Sequence, residues 1–157
     1  MNLQKTDPSV GPQQAPGRPQ GQRYALPLSK LHGVPNRARL ALKVQRITTC
    51  EQLLAAAGPS EARTALARSS QLDPELLDQL VHRADMARIS GIGVVFGLML
   101  EELGVDDVGS LAGCDPPELH ERLRRHNLRE RLARRSPTPE EVADWVSQAR
   151  QLPLLLC

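Results

Sequence analysis

The chain repeats itself. Displaced by 58 positions, residues 31–59 lie over residues 89–117 without a gap. Gly33 falls on Gly91, Leu40 on Leu98, Leu42 on Leu100, Leu53 on Leu111 and Pro59 on Pro117. Leu31, Val34 and Ile47 fall on Ile89, Ile92 and Val105. The matches are few, but they sit where packing and turning would demand them. A self-similarity of this length means one supersecondary unit used twice, neither copy able to bury its apolar face alone. Each copy reads as helix, glycine-containing turn, helix, short connection, helix.

Composition fixes the class of these elements. Hydrophobic residues make up 40% of the chain, yet only one Trp, one Tyr and one Phe are present. A core of Leu, Val, Ile and Ala suits small helices better than a β-sandwich. Runs of period two rich in β-branched and aromatic residues are nearly absent. The expected fold is all-α, a compact bundle of short helices with two pseudo-repeated helix-hairpin-helix units.

Local signals place the helices. Residues 1–23, rich in Pro, Gly and Gln, carry no apolar periodicity and read as a disordered tail, with order beginning near Tyr24. Repeat one spans about 28–66, with Ala38, Ala41 and Leu42 on one face and Thr48 with Glu51 as a capping box for the next helix. A linker helix spans about 73–87, opened by Asp73-Pro74-Glu75: a capping acid, a proline in the first turn and a second acid favoured by the helix dipole. Repeat two spans about 88–126, with Gly97, Leu100 and Leu103 on its apolar face and Asp106 or Asp107 as a cap. Leu119 pairs with Leu123 and Leu128 with Leu132, so a break is expected near His126 and Asn127, with Asn127 as a left-handed cap. A closing helix spans about 138–151 and buries Val142, Trp145, Val146 and Ala149.

The two turns, LHGV at 31–34 and ISGIG at 89–93, the linker DPELLDQLVHRADMARI and the closing ADWV at 143–146 together resemble the tandem helix-hairpin-helix family known as domain of unknown function 4332. The likeness covers about residues 24–153. The resemblance implies a compact all-α fold with paired hairpins and no particular activity. Helix-hairpin-helix units in general bind DNA without sequence preference or serve as protein-contact modules.

A phosphate grip needs backbone N–H groups brought close by glycine, a helix N-terminus behind them, and Lys or Arg beside them. The second turn has Gly91, Gly93 and a following helix, but Val94, Val95 and Phe96 come next, an apolar start that suits a protein partner or a buried corner. The first turn keeps Gly33 but has Pro35, which lacks an N–H. Around it lie Lys30, His32, Arg37, Arg39, Lys43 and Arg46, with no acid between Lys30 and Glu51. The net charge of +2 leaves any basic signal local. A second basic run, from Arg122 to Arg135, is partly offset by Glu118, Glu121 and Glu130.

Catalytic readings find no footing: there is no phosphate loop, no dinucleotide fingerprint and no nucleophile arrangement that order alone can support. No cofactor or metal is expected, because His32, His82, His120 and His126 fall at no ligand spacing and the three cysteines form no CxxC. Without a signal peptide or a span-length apolar run, reduced thiols in a cytoplasmic protein are the expected state. The expected function is non-catalytic, sequence-independent nucleic-acid binding. Gly33, Arg37, Arg39 and Lys43 would contact a DNA backbone, with the Gly91 and Gly93 amides as a second contact. The alternative is a protein-interaction adaptor working through Val94, Val95 and Phe96.

Overall fold

Most helix starts in this chain are held by a side-chain oxygen, and the computed structural model, which describes residues 26–157, shows which ones. Eight α-helices are found among the described residues: α1 (Asn36–Val44), α2 (Cys50–Ala57), α3 (Ser60–Ser70), α4 (Pro74–Met86), α5 (Gly93–Glu102), α6 (Val108–Ala112), α7 (Pro116–Glu130) and α8 (Pro139–Gln151). Thr49, Asp73, Asp107, Asp115 and Thr138 cap α2, α4, α6, α7 and α8 by accepting a backbone N–H two or three residues on. Among the described residues a 3-10 turn, Leu28–Lys30, precedes α1. No strand is formed among the described residues, only an isolated antiparallel bridge between Pro27 and Thr49. The fold is all-α. The tail at 1–23 and the start of order near Tyr24 lie outside the described residues.

Two expected details are corrected. The capping box opening α2 is Thr49 with Gln52, one residue beyond Thr48 and Glu51. Helix α7 does not break at His126 and Asn127. It runs on to Glu130 and ends at Arg131, whose φ of 51° is left-handed. Leu119, Leu123 and Asn127 continue one buried stripe at i, i+4, i+8, so the helix gains packing by continuing. Asn127 is satisfied there: its Oδ1 accepts from Ala133 N–H at 2.9 Å and its Nδ2 donates to Ser136 at 3.3 Å. Leu128, read as half of a second apolar pair, is exposed.

Apolar residues gather into two clusters. One runs from Leu28 to Ala84, the other from Met86 to Ala149. In the first, α2 packs on α3 and α4; in the second, α6 and α7 pack on α8. Helix α4 thus closes the first cluster, as α8 closes the second. Burial pushes the Cys50 thiol up to about 11, as expected for a small side chain in an apolar core; Cys114 is also raised, again mainly by burial.

A buried ion pair joins the clusters. Asp85, at the end of α4, accepts from the Arg88 guanidinium at 2.7 Å and from Val108 N–H, at the start of α6, at 2.9 Å. Arg88 donates onward to the Pro153 carbonyl at 2.6 Å. From there residues 154–157 return to the first cluster, where Leu156 packs and Cys157 N–H reaches the Gly58 carbonyl. Glycine is required at 58, because a Cβ there would lie 2.6 Å from the Leu155 carbonyl oxygen. None of the described helices is long and apolar enough to cross a membrane.

The start of α8 is set by Glu141. Its carboxylate accepts from Arg135 at 2.6 Å and from Thr138 N–H at 3.1 Å, and these donors hold its pKa down at about 2, against an ordinary 4.5. A carboxyl depressed in the folded state contributes stability above its unfolded value and loses it as pH falls through the folded one. The first turn of α8 should therefore fray between pH 4.5 and 2. A carboxyl-detected NMR titration should place the Glu141 midpoint near the lower end, and Glu141→Gln should flatten that part of the acid melt. A Glu141 midpoint at the ordinary value would refute the pairing.

Candidate functional site

The two glycine turns differ in charge but share a construction: a left-handed glycine, a helix start without a side-chain cap, and a long polar side chain holding the turn from outside. In the first turn Gly33 has φ 69° and α1 follows Pro35, with no side-chain cap and no acid in its first turn. Arg83 of α4 holds this turn. Its Nη1 donates to the His32 and Gly33 carbonyls at 3.1 and 3.3 Å, and its Nε and Nη2 donate to Glu101 of α5 at 3.2 and 3.0 Å. In a trans peptide the N–H points opposite to the preceding carbonyl. Drawing both carbonyls onto Arg83 therefore turns the Gly33 and Val34 N–H groups away from it. A Cβ on Gly33 would lie 2.6 Å from Arg83 Nη1, so a side chain there would displace the guanidinium, while the φ of 69° is what favours glycine.

The cations beside this turn are accessible. Lys30, His32, Arg37, Lys43 and Arg46 are exposed, and Arg39 is half-buried, its guanidinium donating to Asn36 Oδ1 at 2.5 Å. Leu40 and Val44 lie exposed between them on α1.

In the second turn Gly91 and Gly93 have φ 94° and 69°. Gln148 of α8 grips Ser90 with both ends of its amide. Its Oε1 accepts from Ser90 N–H at 2.8 Å, and its Nε2 donates to the Ser90 carbonyl at 3.0 Å. The Trp145 indole nitrogen lies 3.5 Å from where a Gly91 Cβ would be. Val94 and Val95 are exposed as expected. Phe96 is not: it is half-buried, its ring 5.6 Å from that of Trp145 with Arg135 stacked 5.4 Å from its centre. The aromatic finds a partner within the chain, so the apolar helix start is two valines wide.

The turns meet at a cavity of about 260 Å³ between the first turn, α4 and α5, with Lys30, His32, His82, Arg83, Gly93 and Val94 among its walls. Arg37, Arg39 and Lys43 lie along α1, outside these walls. Gly93 and the front of the basic patch are thus brought together, and the rest of that patch is not. The second basic run does not line this cavity. Arg124 and Arg125 pair with Glu121, Arg129 with Glu130 and Arg135 with Glu141. Arg122 donates to the Leu103 carbonyl at the end of α5.

Sequence reasoning missed Arg83 and Gln148. Arg83 sits in a helix rich in polar residues, about 50 positions from the carbonyls it holds, and nothing in its neighbourhood marks it. Gln148 is 58 positions from Ser90 and reads as part of a solvated face.

No curated protein and no solved structure matches the chain. The family model described as domain of unknown function (DUF4332) matches residues 32–152. That match takes in the turn glycines Gly33 and Gly91 and the whole of all eight described helices, and the chain belongs to this family.

Proposed function

We propose that the chain is a non-catalytic binding module built from two helix-hairpin-helix units, and that its first hairpin grips a nucleic-acid backbone without regard to sequence. The internal repeat supports the paired units. Gly33 and Gly91 are both left-handed and each leads into an uncapped helix. Arg46 and Gly104, also at matching positions, both have positive φ, 60° and 82°.

The observation that carries the binding reading is the Arg83 contact. It takes up the carbonyls of the first turn and so turns the Gly33 and Val34 amides away from α4, beside an uncapped helix start and an acid-free row of cations. A phosphate needs that combination: directed N–H groups, the positive end of a helix dipole and nearby charge.

The test is fluorescence anisotropy of a short labelled DNA duplex across a salt series. Affinity should fall linearly with salt on logarithmic axes, with a slope of about two to three for two or three phosphate contacts. Changing Arg37, Arg39 and Lys43 together to Ala should weaken binding about tenfold or more at low salt. Undetectable binding at low salt, or a triple variant that binds like the parent, sinks this reading.

The exposed Val94, Val95, Leu40 and Val44 favour a second reading, a protein-interaction adaptor using the same fold. Affinity capture with and without nuclease separates the two. Partners that survive nuclease treatment and are lost on changing Val94 and Val95 to Ser support the adaptor.

A further inference from the structure

His82 of α4 stands at the edge of the cavity between the turns, facing the loop that opens α6. Its Nδ1 lies 2.7 Å from the Asp78 carbonyl oxygen. A carbonyl only accepts, so Nδ1 carries the ring proton and the neutral ring presents a lone pair at Nε2. Asp107 uses Oδ1 to cap α6 through Ser110 N–H at 2.7 Å, which leaves its Oδ2 turned to His82 Nε2, 3.6 Å away. One ligand atom each from His82, Asp106 and Asp107 fall within 4.8 Å of one another.

Three acceptors converge here. The 3.6 Å gap between His82 and Asp107 is too long for a hydrogen bond. It is close to the edge, about 3.4 Å, of a tetrahedron with metal–ligand bonds of about 2.1 Å. The imidazole is also held as metal-bound histidines are held, its far nitrogen donating to a backbone carbonyl that fixes tautomer and ring orientation. His82 and Asp106 both line the cavity, which leaves room on the open side for a water or a small anionic ligand.

We infer that His82, Asp106 and Asp107 form a binding site for a divalent transition-metal ion of the zinc class, with its fourth position open to the cavity. One nitrogen and two carboxylate oxygens suit zinc or its cobalt substitute better than calcium or magnesium, which prefer an all-oxygen shell. The ion would tie α4 of the first cluster to the α5–α6 loop of the second. The inference does not rest on the nucleic-acid reading and survives its failure. The competing arrangement is a protonated His82 shared between Asp107 and Asp78, whose Oδ2 lies 3.5 Å from Nδ1; it needs no metal and is an outcome of the test.

The experiment titrates the full chain, kept reduced, with Co²⁺ while visible absorption is followed, then displaces it with Zn²⁺; melting is measured with and without Zn²⁺. One equivalent should develop ligand-field bands and raise the melting midpoint. His82→Gln and Asp107→Asn should each weaken binding about tenfold or more. Asp107→Asn keeps an acceptor for Ser110 N–H and so keeps the cap. If it unfolds nevertheless, Asp106→Asn, at a position that caps no helix, takes its place. Cys114→Ser and Cys157→Ser should bind like the parent. No one-to-one site, binding untouched by His82→Gln, or binding lost only with the cysteines would each overturn the inference.

Discussion

Replacing Trp145 by Ala should destabilise the protein by about 3–5 kcal/mol. The indole is only 1% exposed in the centre of the second cluster, and its removal leaves a cavity that α8 cannot collapse into without losing Gln148 from Ser90. It also carries Phe96, whose ring has no other aromatic neighbour among the described residues, and it floors the second turn beneath Gly91. The loss should therefore appear twice: as a lower denaturation midpoint by circular dichroism, and as faster hydrogen exchange at Ser90 and the first amides of α5. Circular dichroism is the right probe because Trp145 is the only tryptophan and the variant has no indole fluorescence to follow. A cost below about 1 kcal/mol would mean that the second cluster is not packed around this side chain.

Asp85→Ala should cost a comparable amount, about 3–5 kcal/mol, for a different reason. The carboxylate is 2% exposed. Its loss removes the carboxylate that accepts from the buried Arg88 guanidinium at 2.7 Å and from the Val108 N–H at the start of α6 at 2.9 Å. Asp85→Asn should fall between parent and Ala, since an amide oxygen can still accept from Val108 but carries no charge. Equal destabilisation by Asn and Ala would show that charge alone matters, and no destabilisation by either would show that the junction between the clusters is held elsewhere. Chemical denaturation followed by circular dichroism measures all three.

What could be read from the chain beforehand was what is decided locally. The helix starts at Asp73-Pro74 and Thr138-Pro139 are written within four residues of sequence, and the core faces of α4 and α8 follow from helical spacing alone. The likeness of residues 31–59 to residues 89–117 marks Gly33 and Gly91, both left-handed in the fold. Where reading failed, a polar residue had gone to a buried position. Asn127 carries the preference of a helix end, but it stands one turn beyond Leu123 on the buried stripe and finds two partners in the loop after α7. Tertiary packing overrode a local preference, as it does wherever a polar side chain is satisfied by distant backbone.

The candidate site was legible in part for the same reason. Glycines and cations advertise themselves in sequence; the side chains that aim them do not. Arg83, Gln148 and the His82–Asp107 approach each join residues 18 or more positions apart, and all sit on helix faces whose pattern is that of an ordinary solvated surface. Phe96 misled in the opposite sense, because a hydrophobic residue after a turn says nothing about whether its partner lies inside the chain or outside it.

The Arg83 contact has an energetic consequence. One guanidinium holds the carbonyls of the first turn and the carboxylate of Glu101 on the helix that follows the second. The first turn and the last turn of α5 therefore share a single two-sided clamp. A ligand that reshapes the first turn must strain or relax the bond to Glu101, and through it the register of α5. The first corner is thereby tied to the far end of α5 and does not stand as an independent loop.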